Sequence, residues 1–131
     1  MLFRSDPFFD LTVDHLFGTI WARPGLSMRD KRIMTLTVVT AVGNSDLAEI
    51  QANAALANGE MTETELKEMA IFLTHYLGFP LGSKLDGVVS SVIKKRKKAA
   101  EKGSSGDTVE DRRANVNAAV RMHSGGSVHD E

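Results

Sequence analysis

Apolar residues recur at helical spacing from Phe9 to Ile93, and polar turn signals cut that pattern into five segments. Phe9, Val13, Leu16, Phe17 and Ile20 share one face of a first helix, which Ser5 and Asp6 can cap and whose first turn accepts Pro7. It ends near Trp21. Arg23-Pro24-Gly25-Leu26 reads as a turn, because proline presets its own φ and glycine tolerates the conformations that follow. Ser27, with Asp30 three residues on, is a weaker form of the capping box and opens a second helix that runs to about Val42. After its first turn this helix is apolar on most sides (Ile33, Met34, Leu36, Val38, Val39, Ala41, Val42), as a centrally buried helix is. The β-branched residues Thr35, Thr37, Val38, Val39 and Thr40 would also suit a strand, but the segment's length and the helix signals at both ends favour a helix.

Gly43 and Asn44 break the chain, and Ser45 or Asp46 is placed to cap a third helix with a narrow stripe at Leu47, Ile50, Ala54 and Ala57. Asn58-Gly59 is a C-terminal stop, and Thr62 with Glu65 forms a full capping box that opens a fourth helix. Leu66, Met69, Ala70, Leu73, Tyr76 and Leu77 mark its buried face, and Gly78-Phe79-Pro80 ends it. A fifth helix is expected from Gly82 or Ser83, with Leu85, Val88, Val89, Val92 and Ile93 on one face, running into Lys94-Lys95-Arg96-Lys97-Lys98. From Gly103 the chain is rich in Gly, Ser and charge, with one weakly helical stretch over 108–122, and reads as a mobile or partner-dependent tail. The expectation is an all-α domain over 1–102 followed by a polar tail over 103–131.

The 131-residue length fits one core and not two. Sixteen Lys and Arg against seventeen Asp and Glu give a net charge of -1, so no global field draws the protein to nucleic acid or to an anionic membrane. No apolar run reaches the roughly 18 residues of a membrane span. The N-terminus MLFRSDPFFDL lacks the pattern of a secretory signal, so a soluble, cytoplasmic protein is expected. The chain has no cysteine, which removes disulfides, zinc–thiolate sites and cysteine nucleophiles together.

Few residues suggest chemistry on their own. His75 lies on the fourth helix beside the apolar face, where its environment can tune it for acid/base work, although a lone helical histidine is also at home packed or solvated. Arg23, in the turn, can hold a carboxylate or bond the carbonyls that end the first helix. Tyr76 can offer its phenol to a pocket or sit in the core. The basic run 94–98 suits a helix C-terminus, where the macrodipole favours cations, and no interleaved aromatics mark it for nucleic acid. No His or carboxylate pair has metal-ligand spacing, so no cofactor is expected.

Phe17-Gly18, Trp21-Ala22-Arg23-Pro24-Gly25-Leu26-Ser27, Arg29-Asp30, Leu56 with Asn58-Gly59, Glu65 with Glu68, and Tyr76 with Gly78-Phe79-Pro80 occur in an order and spacing that resemble the carboxymuconolactone decarboxylase family. The resemblance implies an all-α, AhpD-like helical bundle of five to six helices that assembles into rings, commonly trimers or hexamers. It also implies a lyase reaction in aromatic catabolism, the conversion of 4-carboxymuconolactone to an enol-lactone with loss of carbon dioxide. Peroxidase-like relatives use a CxxC pair followed by a His on the third helix. Here that helix reads Leu47-Ala48-Glu49-Ile50-Gln51-Ala52-Asn53-Ala54, without thiols. Gln51 stands where decarboxylase-type members usually carry His, Asn53 where they carry a basic residue, and Lys31 where an Arg is usual.

Loss of carbon dioxide leaves a dienolate, which needs a donor for its oxygen, a proton for carbon and a group that orients the carboxylate. The resemblance therefore points to a lyase acting on a carboxylated lactone or similar small acidic metabolite in a pocket at a subunit interface. His75, Gln51 and Tyr76 are the catalytic candidates, and Arg23 and Asn53 the substrate-binding ones. The alternative is a catalytically silent oligomeric scaffold or binding protein of the same fold. Peroxidase-like activity is disfavoured, because it requires a thiolate.

Overall fold

A computed structural model describes residues 6–103. The weakly helical stretch expected over 108–122 lies outside them. The described residues are helical, with no strand among them. α1 (Pro7–Asp10) runs directly into a π-helical segment (Leu11–Ile20), followed by α2 (Met28–Ala41), α3 (Ser45–Ala57), α4 (Glu63–Leu77) and α5 (Phe79–Glu101).

The helix starts are locally encoded. The Asp6, Ser27 and Asn44 side chains accept from the backbone N–H groups of Phe8, Asp30 and Leu47, each at 3.0 Å. Asn44 thus caps α3, one residue before the Ser45 or Asp46 expected from sequence. Thr62 and Glu65 close the capping box at 3.1 and 2.9 Å. α5 begins at Phe79, three residues earlier than expected. Gly78, at φ 97°, reverses the chain in a single residue, and Pro80 lies in the first turn of the new helix, where its missing N–H costs nothing.

α4 and α5 form an antiparallel hairpin, and α3 lies against both α2 and α5. The core is Leu36 and Val39 from α2, Ala48, Ala52 and Ala55 from α3, Leu66, Ala70 and Leu73 from α4, and Leu85, Val89 and Val92 from α5, closed by Met61. The alanines let α3 sit deep among its neighbours. Lys67 ties the outer side of the hairpin to Asp86 at 3.0 Å and to Ser90. Glu49 pairs with Lys95 at 2.7 Å and Asn53 accepts from Arg96 at 3.2 Å, so part of the basic run is absorbed by α3.

The N-terminal helix departs from its expected register. The Trp21 N–H bonds the Leu16 carbonyl five residues back at 2.8 Å, and the Thr19 hydroxyl reaches the Asp14 carbonyl in the same way. This wider winding takes residues spaced for an α-helix off a common face. Val13 and Ile20 are exposed, and Thr12 is the buried residue of the segment. Apolar surface is also open elsewhere: Met34, Val38 and Val42 run along α2, and Ile71, Phe72, Tyr76 and Phe79 cover one side of the α4–α5 corner. Tyr76, expected on the buried face, is 75% exposed and packs against Phe72 with ring centroids 5.1 Å apart.

Two outcomes follow from this packing. A Cβ on Gly82 would lie 1.8 Å from Thr74 Oγ1 and 2.8 Å from Thr74 Cα, so the hairpin admits no side chain there. Gly82→Ala is expected to lower unfolding free energy by about 3 kcal/mol in urea titration, through forced separation of α4 and α5. An unchanged midpoint would show that the helices are not held this closely. The Glu65 carboxyl is held below its ordinary value of 4.5 by the Thr62 backbone N–H and then by Arg29. A depressed carboxylate contributes stability that is complete above the ordinary value and is lost as pH falls through the folded one. Glu65→Gln should therefore reduce the acid sensitivity of thermal unfolding below about pH 4.5, and an identical acid limb in variant and wild type would contradict it.

Candidate functional site

The turn between the N-terminal helix and α2 is held by two consecutive cations. The Lys31 ammonium donates to the Trp21 and Arg23 carbonyls at 2.6 Å each, satisfying groups that the end of the first helix leaves open. Arg32 turns the other way, into the bundle. Its Nε donates to Glu60 Oε1 at 2.7 Å, a second nitrogen lies 3.4 Å from Glu60 Oε2, and a third donates to the Gln51 side-chain carbonyl. Asn58 donates to Glu60 Oε2 at 3.3 Å. The Arg32 guanidinium carbon stands 4.7 Å from the Trp21 ring centroid, a cation–π distance. Arg32 and the Glu60 side chain are 7% and 8% exposed, and Gln51 is fully buried, so the pair lies out of water and depends on its mutual bonds.

Against the other side of this turn lies a cavity of about 440 Å³. Ile20, Trp21, Leu26 and Met34 give it apolar walls, and Arg23, Lys31 and Thr35 are its polar residues, with Gly25 at the turn. Among the described residues no carboxylate and no imidazole lines it. Among the described residues the Arg23 guanidinium has no hydrogen-bond or ion-pair partner. The Thr35 hydroxyl donates to the Lys31 carbonyl at 2.8 Å and keeps its acceptor capacity. The site is thus small, mostly apolar and cationic, a combination suited to a compact organic anion.

The candidates read from sequence fall in three places. Arg23 lines the cavity. Gln51 is behind it, bonded to Arg32, with its own amide nitrogen unpartnered, and Asn53 is two residues further on α3, accepting from Arg96. His75 and Tyr76 lie on the exposed side of α4, where the His75 ring nitrogen Nδ1 is 2.9 Å from the Ile71 carbonyl. Within one chain neither His75 nor Tyr76 lines the cavity. Glu60 had no sequence signal: an acid next to the Asn58-Gly59 stop reads as a solvated turn residue, and its partner is 28 residues away. Among the described residues no group of three or more His, Asp or Glu could hold a metal ion, and no helix is long and apolar enough to cross a membrane.

An all-helical bundle carrying a small cationic cavity beside a proline turn is the class of protein that this geometry defines. Residues 6–85 match the model of the carboxymuconolactone decarboxylase family, and the chain belongs to that family. It is 31% identical over 86 residues to a 4-carboxymuconolactone decarboxylase of Acinetobacter baylyi, covering 66% of this chain and 63% of that protein. It is 30% identical over 73 residues to a nitrosuccinic acid decarboxylase of Metarhizium robertsii, covering 54% of this chain and 49% of that protein. The chain therefore spans less than two thirds of either relative. No solved structure matches it significantly.

The buried pair makes a specific prediction. Arg32→Met strands the Glu60 carboxylate and is expected to cost about 3–5 kcal/mol in chemical denaturation, whereas Arg32→Met combined with Glu60→Met should recover most of that loss. Trp21 is the chain's single tryptophan, so its emission, which should change in both variants, reports the lost guanidinium directly. A double variant no more stable than the single one would show that the two groups do not compensate each other.

Proposed function

We propose that the protein is a decarboxylase of small carboxylated acids, with a carboxylated lactone as the model substrate, and that the cavity beside Trp21 is where it binds. The observation that carries this reading is the Arg23 guanidinium, unpartnered among the described residues, on an apolar cavity of about 440 Å³ that none of their carboxylates lines. Such a cavity attracts an anion and buries the rest of it. Both relatives are named as decarboxylases, which supports the reaction type. A place in aromatic catabolism belongs to the same proposal.

The working unit is a homo-oligomer, trimeric or hexameric. The apolar stripes on α2 and on the α4–α5 corner support it, since open surface of this kind calls for a partner. Met34 belongs both to the α2 stripe and to the cavity wall, so a second copy seated there would narrow the cavity mouth. His75 and Tyr76 join the site if a neighbouring copy brings its α4 face to that mouth; Gln51 acts from behind, through Arg32 against Trp21, and Asn53 is bonded to Arg96 of α5.

A second reading, a catalytically silent binding protein of the same fold, is favoured by one observation. Gln51, at the position where the family resemblance leads one to expect a histidine, is fully buried and committed to Arg32. One assay separates the two. Purified protein mixed with 4-carboxymuconolactone should release carbon dioxide, and Arg23→Ala should raise KM roughly 10- to 100-fold, the loss of one charged hydrogen bond. Saturable binding of the lactone without carbon dioxide release would establish the silent reading.

A further inference from the structure

We propose that Lys31 is the general acid of this site: its ammonium stabilises the enolate oxygen left by carbon dioxide and then delivers the proton that completes the product. The proposal rests on the decarboxylation reading and assigns the residue that performs its second half.

Among the described residues the ionisable ones that line the cavity are Arg23 and Lys31, with no imidazole and no carboxyl group. A guanidinium does not give up its proton in proteins, so Arg23 is confined to holding charge. An ammonium carries three donors. Two of those on Lys31 are fixed at 2.6 Å on the Trp21 and Arg23 carbonyls, which leaves one N–H on a residue that itself borders the cavity. The two carbonyl bonds fix the nitrogen in place, and a preorganised donor of this kind stabilises developing negative charge without rearrangement. They also tie it to the backbone of Arg23, whose carbonyl is one of the two anchors.

The step balances without a cofactor. The bond between the substrate carbon and the departing carboxylate breaks, carbon dioxide leaves, and the electron pair moves into the conjugated carbonyl to give a dienolate. Lys31 donates its free N–H to the enolate oxygen and then transfers that proton to carbon, forming one new C–H bond. The neutral amine regains a proton from water. Nothing is oxidised or reduced, and Arg23 keeps hold of the carboxylate that remains.

The test compares wild type, Lys31→Arg and Lys31→Met with 4-carboxymuconolactone in H₂O and D₂O. Lys31→Arg keeps a cation that can bond both carbonyls but cannot transfer a proton. It should lower kcat by roughly 100-fold or more, the usual worth of a positioned acid, with KM within about threefold of wild type. In D₂O the wild type should place deuterium on one face of the new carbon centre, and residual turnover in Lys31→Arg should label both faces. A role limited to holding the turn predicts that Lys31→Arg retains kcat and stereochemistry, and that result overturns the proposal, including the case in which Lys31→Met fails to fold. Absence of carbon dioxide release by the wild type overturns the decarboxylation reading and this proposal together, and is told apart by occurring before any substitution is made.

Discussion

The Arg32–Glu60 ion pair is the constraint on which the rest of the site depends. It joins four parts of the chain: the second turn of α2, the middle of α3 through Gln51, the α3–α4 turn through Glu60 and Asn58, and the end of the N-terminal helix through the Trp21 ring. Two charges out of water are tolerated only when their geometry and remaining hydrogen bonds are good, so the pair admits few arrangements of these four parts. Trp21 is held from behind by this cluster, and its backbone carbonyl is held by Lys31. Thr12 is the buried residue of the N-terminal segment, and these contacts tie its C-terminal end to the bundle.

Consecutive cations on α2 thereby take different tasks. Arg32 is spent on the interior, and Lys31 on the carbonyls of the turn and the edge of the cavity. Arg23, whose backbone is held by Lys31, keeps its own side chain unpaired among the described residues. The polar groups that line the cavity sit on the turn and α2, while Gln51 of α3 is bonded to Arg32 behind them.

Much of the fold was legible in the sequence because its punctuation is local. Ser27 with Asp30 and Thr62 with Glu65 each announce a helix within four residues, and the structure has those bonds. Where the reading failed, a local rule had two outcomes. Pro80 can stop a helix or open one, and only the φ of Gly78 decides between them. The periodicity that puts Tyr76 in line with Leu66, Met69 and Leu73 defines a helix face without saying what covers it, and among the described residues Tyr76 stays mostly exposed beside Phe72. The π winding before Trp21 leaves no periodic trace. In the site, Arg23 was visible because the turn that carries it is short and strongly marked, while Glu60 was not, because an ion pair across 28 residues has no sequence pattern.

Trp21 reports on the cavity that it lines, and no second tryptophan obscures it. Titration of the wild-type protein with muconolactone, which lacks the carboxyl group to be lost, should change Trp21 emission saturably, and the apparent affinity should fall as salt screens Arg23. Emission that stays unchanged while the lactone is bound, as followed by calorimetry, would place the anion elsewhere and contradict the account.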